Sequence, residues 1–171
     1  MQATCTRADW ERLPEGFRAE LVRGHLVKEA APTYGHQRLA ARIRFALLSL
    51  VGPDRVPDTP AGVLVDDRNV YEPDVVVLAR PADDTSPYVG VPLLVVEVLS
   101  PSTRQLDRGV KADRLLHLGV AEVWLVDPDD RTIEVRTSDR TVVARDDEEV
   151  HSEVLPGFAL QPRALFSPPR A

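Results

Sequence analysis

Hydrophobic and polar positions change period along this chain, and the changes mark its elements. Within residues 35–51, GHQRLAARIRFALLSLV, Leu39, Ile43, Leu47 and Leu50 recur at helical spacing. That spacing predicts an amphipathic helix packed on one face, stopped by Gly52-Pro53. A short helix is expected over 6–13, with Thr6 as N-cap. Residues 17–29, FRAELVRGHLVKE, read as two strands around a turn at Arg23-Gly24. GVLVD at 62–66, DVVVLA at 74–79, PLLVVEVL at 92–99 and EVWLVD at 122–127 read as further strands, with a turn at Asp67-Arg68-Asn69. TIEVR at 132–136 and TVVAR at 141–145 form a hairpin beyond the turn Asp127-Pro128-Asp129-Asp130. A third helix is expected over 104–118, with Ser102 or Thr103 near its N-cap and Gly119 at its C-cap.

This order predicts an α/β (α+β) fold, a mixed sheet flanked by helices. The strand-helix-strand passage from Leu93 to Val126 has the length of a crossover joining parallel strands. The 171 residues suit one domain spanning 1–171, large enough to bury roughly 70% of its unfolded surface without staples. The terminal LFSPPRA is expected to be a frayed tail.

Composition narrows the classes. Lys and Arg number 21 against 27 Asp and Glu, a formal net charge of −6, which argues against a tail-driven nucleic-acid binder. An enzyme with a local basic rim stays compatible. The single cysteine, Cys5, excludes an intrachain disulfide and suits a reducing compartment. No run of 18 apolar residues exists, and the N-terminal stretch has no signal-peptide core. The expectation is a soluble cytoplasmic protein.

Glu97 stands out because it lies inside LLVVEVL, flanked two positions away by Val95 and Leu99. A carboxylate there costs several kcal/mol in order of magnitude unless paired, metal-bound or turned to solvent on an edge strand. Asp74, after Pro73, opens a neighbouring strand run, and the two carboxylates could project from one face. Clustered carboxylates repel unless a cation lies between them, and hard oxygen ligands select Mg²⁺ or Mn²⁺. Lys111 shares a helix face with Asp107, Leu115 and Leu118, so it either forms a surface pair with Asp107 or points along the sheet toward Glu97. Glu20 in the first hairpin reads as a solvated strand residue, and His36 as a helix cap or a residue facing the site.

The stretches AELVRGHLV, GHQRLAARI, EPDVVVL and LLVVEVLSPSTRQLDRGVKADRLLHLGVAEVWLVDP resemble the Uma-two family of restriction-endonuclease-like proteins. That family is a branch of the PD-(D/E)XK nuclease superfamily, and the resemblance runs from about Phe17 to about Arg136. It implies a restriction-endonuclease-like fold and a metal-dependent endonuclease acting on double-stranded DNA. Asp74, Glu97 and Lys111 would be catalytic. Asp74 and Glu97, helped by Glu20, would hold Mg²⁺ or Mn²⁺, with His36 and Asp107 as accessory residues. The superfamily's lysine two residues after the Glu is here Leu99, and Lys111 stands where the family carries it on the following helix. A tyrosine four residues further on is replaced by Leu115, and an aromatic before Trp124 by Val123. Arg38, Arg42, Arg104, Arg108 and Arg114 are candidates for guiding the DNA backbone. A homodimer is expected if both strands are cut.

Two other readings compete. The fold is kept as a catalytically inactive nucleic-acid or protein binding module, which the net charge favours. Or Glu97 and Lys111 only satisfy each other, in which case replacing both with apolar residues is tolerated.

Overall fold

The computed structural model describes residues 4–14, 16–28, 31–57, 60–81, 83, 85–86 and 88–167. Of the expected elements, Glu29 at the end of the second strand and residues 168–171 of the tail lie outside these.

Helix α1 (Arg7–Trp10) begins at Thr6, whose hydroxyl and backbone exchange hydrogen bonds with Asp9 in a capping box. Strands β1 (Ala19–Val22) and β2 (His25–Lys28) follow as an antiparallel hairpin. Its turn places Arg23 at φ 52° and Gly24 at φ 77°, the positive pair that suits a two-residue hairpin. Helix α2 (Tyr34–Val51) buries Leu39, Ile43 and Leu47 of the expected stripe, while Leu50, in its last turn, is exposed. Next come β3 (Gly62–Asp66), β4 (Asn69–Tyr71), β5 (Val75–Leu78), β6 (Tyr88–Val89) and β7 (Pro92–Val98). After a broken helical segment, α3 (Arg104–Leu106) and α4 (Ala112–Leu118), the chain forms β8 (Glu122–Asp127), β9 (Thr132–Arg136) and β10 (Thr141–Arg145). The short pair β11 (Val150–His151) and β12 (Ala159–Leu160) and helix α5 (Pro162–Phe166) complete the described chain.

Two five-stranded sheets carry the fold, in the orders β2-β1-β4-β3-β6 and β10-β9-β8-β7-β5. In the second, β7 and β8 run parallel, as the crossover length requires, and its other pairs are antiparallel. Both faces of that sheet are covered. Strands β7 and β8 therefore lack an apolar-polar alternation and read as nearly continuous apolar runs. Leu94, Val96, Val98, Trp124 and Val126 pack with α2 and the C-terminal elements. Val95, Leu99, Val123 and Leu125 pack on the opposite side with α4 and with Val22, Val63 and Tyr71 of the first sheet.

Two expectations are corrected. Asn69 is not a turn residue but opens β4. Its amide donates to Asp66, and its Oδ1 accepts from the Arg23 amide and the Tyr71 hydroxyl, so tertiary partners hold a turn-forming residue in a strand. The helix over 104–118 is also interrupted. Residues Asp107–Lys111 form a π-helical turn, with non-helical angles at Gly109. The Arg108 carbonyl accepts from the Arg136 guanidinium on β9, while the Ala112 amide reaches back to Asp107. A side chain from the sheet thus takes a bond that a continuous helix would make internally.

Candidate functional site

The strand register brings the first two carboxylates together. Val75 of β5 pairs with Val96 of β7 in antiparallel register, so Asp74, one residue earlier, stands across from Glu97. Glu97 points to the face shared with Val95 and Leu99, which the first sheet and α4 cover. Glu20 arrives on this face from β1, and Lys111 from the end of the π-helical turn.

Lys111 is the centre of the cluster. Its Nζ donates to Glu20 Oε1 at 2.6 Å, and lies 2.8 Å from Glu97 Oε1 and 3.8 Å from Asp107 Oδ1. Glu20, Glu97, Asp107 and Lys111 are all buried. Glu20 Oε1 also accepts from the Glu72 amide at 2.7 Å. The ammonium lies 5.8 Å from the centroid of the Tyr71 ring. Tyr71 remains a neutral donor, because burial and then the Glu20 carboxylate push its hydroxyl up to about 12.

The contact between Lys111 and Glu97 is electrostatic only. Glu97 Oε1 is buried and accepts no aligned hydrogen bond, although the ammonium is within ion-pair distance. Burial pushes the Glu97 carboxyl well above the usual carboxylate range. Lys111 opposes this, and Asp107, Asp74 and Glu20 add to it. Burial also works against the charge on Lys111, but Glu20, Glu97 and Asp107 outweigh it and hold the ammonium well above the ordinary lysine range. Asp107 is raised too, chiefly by burial, with Lys111 and the Thr103 hydroxyl pulling the other way.

Asp74 is held from two sides. Its Oδ1 lies 2.8 Å from His36 Nε2, and its Oδ2 accepts from the Val98 amide at 2.7 Å. His36 reaches it from the first turn of α2, whose N-cap hydroxyl, Thr33, accepts from the His36 amide. All six expected site residues line one cleft of about 990 Å³.

The chemistry of the donors suits a divalent cation. Four carboxylates, Glu20, Asp74, Glu97 and Asp107, are near one another with one ammonium among them. One buried carboxylate oxygen has no hydrogen-bond donor. Asp74 keeps lone pairs beyond the two it uses. Among the described residues, however, no three His, Cys, Asp or Glu side chains already converge as a coordination set. Glu20 serves Lys111 and the Glu72 amide through the same oxygen.

Residues 7–163 match the model of the Uma2 family, described as "Putative restriction endonuclease". The chain belongs to this family. A crystal structure titled as a "putative nuclease belonging to DUF820" from Anabaena variabilis ATCC 29413 has the same fold. It aligns with a TM-score of 0.81 at 23% identity, over 94% of this chain and 97% of that one. No curated protein matches.

The departures from the superfamily pattern, at Leu99, and from the Uma2 pattern, at Leu115 and Val123, fall in packed positions. Leu99, Leu115 and Val123 are all buried in the apolar cluster between the sheets. Most of the arginines considered as DNA guides have partners within the chain. Arg104 and Arg108 pair with Asp127, Arg108 also with Glu134, and Arg114 with Asp66. Arg42 donates to the carbonyls of Leu165 and Ser167. Arg38 lines the cleft.

The sequence reading missed the anchor behind Lys111. Asp127, fully buried at the end of β8, accepts from Arg104, Arg108 and the amides of Asp129 and Asp130. The signal was a second acid in an apolar strand, Asp127 in EVWLVD, with Arg104 and Arg108 one helical turn apart to meet it.

Proposed function

We propose that this chain is a metal-dependent endonuclease that hydrolyses phosphodiester bonds of DNA with Mg²⁺ or Mn²⁺. The observation that carries this reading is the buried, donor-less Oε1 of Glu97 in a cluster with more carboxylates than cations. Lys111 is one cation for several buried carboxylates, which leaves the cluster short of positive charge, and a bound cation offsets that cost. Asp74 and Glu97 would hold the ion, with Glu20 adding negative charge. When bound, such an ion polarises the phosphodiester and lowers the pKa of an attacking water.

The chain's own groups have distinct work. Lys111 is fixed by Glu20 and flanked by Asp107, so its ammonium is oriented before substrate arrives. It is suited to hold the attacking water or to offset charge gained by the phosphate. His36 and the Val98 amide set the orientation of Asp74. Asp107 acts through Lys111 as a positioning residue.

The test is cleavage of plasmid and oligonucleotide DNA, with Mg²⁺, with Mn²⁺ and with chelator, by wild type and Glu97→Gln. Metal-dependent cutting that falls at least about 100-fold in the variant is expected. Cutting that survives chelation contradicts the metal role. Folded wild type that binds DNA but cuts nothing favours the inactive binding module.

A further inference from the structure

The depth of the cluster limits what can reach it. Glu20 and Glu97 are each 4% exposed and Lys111 is 3% exposed. Only Asp74 and His36 open appreciably to the cleft, with side chains 23% and 19% exposed. A phosphate within a paired duplex sits on a stiff rod with a second strand beside it. The cleft, at about 990 Å³, has the size of a small-ligand pocket. That depth favours a strand free to bend toward the cluster over one held in a stiff duplex.

The walls carry the matching chemistry. Arg38 lies 6.0 Å from the Tyr34 ring centroid, and Arg131 lies 5.7 Å from that of Phe166. Arg38, Arg131 and Phe166 line the cleft. Tyr34 is 77% exposed, between Thr33 and Gly35, which also line it. Among the described residues no carboxylate forms an ion pair with Arg38 or Arg131, which lie instead over aromatic rings. Arg104, Arg108 and Arg114, by contrast, are neutralised by acids of the chain. The exposed Tyr34 face beside Arg38 is open to stack a base while the guanidiniums meet phosphates, and stacking there is possible only for a base that has left the duplex.

We infer that the cleft takes an unpaired strand, so that the cut phosphate belongs to a single-stranded stretch, an overhang or an opened bubble. This rests on the nuclease reading of the same site. It also replaces double-stranded DNA as the preferred substrate, and it needs one active site per cut rather than a homodimer.

The test uses the full chain and three labelled DNAs of one sequence: a single strand, a blunt duplex, and a duplex with a long overhang. Binding is read by anisotropy in chelator at fixed salt, and cutting is mapped separately with Mn²⁺. About tenfold tighter binding to the single strand than to the blunt duplex is expected, with cuts confined to unpaired positions. Tyr34→Ala and Arg131→Ala are each expected to weaken single-strand binding about tenfold while leaving duplex binding unchanged. Equal or tighter duplex binding, cuts inside the blunt duplex, or no binding to any DNA overturns the inference. Single-strand preference without cutting in any metal overturns the nuclease reading instead and leaves the cleft's ligand as inferred.

Discussion

Lys111 Nζ lies 2.8 Å from Glu97 Oε1 although the two residues come from different elements, a helical turn and a central strand. The position two residues after Glu97, where the superfamily pattern has its lysine, holds Leu99, which is buried with Ala112 and Leu115 in one apolar cluster. The charge therefore comes from the residue immediately before Ala112. The π-helical turn, closed from the sheet by Arg136, sets where that residue points.

Lys111 is the cation that makes the metal-free cluster tolerable. Lys111→Met is expected to cost about 3–5 kcal/mol, since it leaves Glu20, Glu97 and Asp107 buried without their counter-charge. Adding Mn²⁺ should raise the melting temperature of this variant more than that of wild type. Thermal melts with and without the ion check both points. A variant as stable as wild type would show that the carboxylates are satisfied some other way.

The Asp127 anchor should act at a distance. Asp127→Ala removes the acceptor shared by Arg104 and Arg108, at an expected cost of about 3 kcal/mol. Amide hydrogen exchange should quicken over residues 104–111, and turnover should fall with the metal affinity little changed. Unchanged exchange there would mean that Arg136 alone fixes the turn.

Tyr71 supplies a pH signature on the alkaline side. Its folded-state pKa is raised to about 12 from an ordinary 10, so the unfolded chain loses that proton first. The associated stability is complete below about pH 10 and is lost as pH rises toward 12. Wild type should therefore lose stability across that window more steeply than Tyr71→Phe. Denaturant midpoints at about pH 9, 10 and 11 measure the difference, and parallel profiles would contradict it.

The architecture was legible where side-chain pattern and local turn chemistry agree. Glu122–Asp127, Thr132–Arg136 and Thr141–Arg145 are the strands that the β-branched runs and the Asp-rich turn predict. Thr6, Gly52 and Gly119 mark the helix ends that their capping chemistry suggests. The pattern failed at Asn69 and at Gly109, where partners far along the chain decide the backbone.

Within the site, the helix face left Lys111 either in a surface pair with Asp107 or pointing toward Glu97, and the buried contact is the second of these. Glu20 looked solvated because AELV is short and its own neighbours say nothing about cover. It is buried because Val22 and Glu20 turn toward the second sheet, a relation between two sheets that no local pattern records. The partners of Arg104, Arg108 and Arg114 were illegible for the same reason, since Asp66, Asp127 and Glu134 lie far from them along the chain.

The central claim is that Glu97 completes a divalent-cation site. Calorimetric titration of Mn²⁺ into wild type and Glu97→Gln, each alone and with a non-cleavable oligonucleotide, tests it most directly. Saturable binding to wild type is expected, with at least about tenfold weaker binding to the variant while it still melts cooperatively. Equal affinity in both proteins, or no binding to wild type even with the oligonucleotide present, would contradict it.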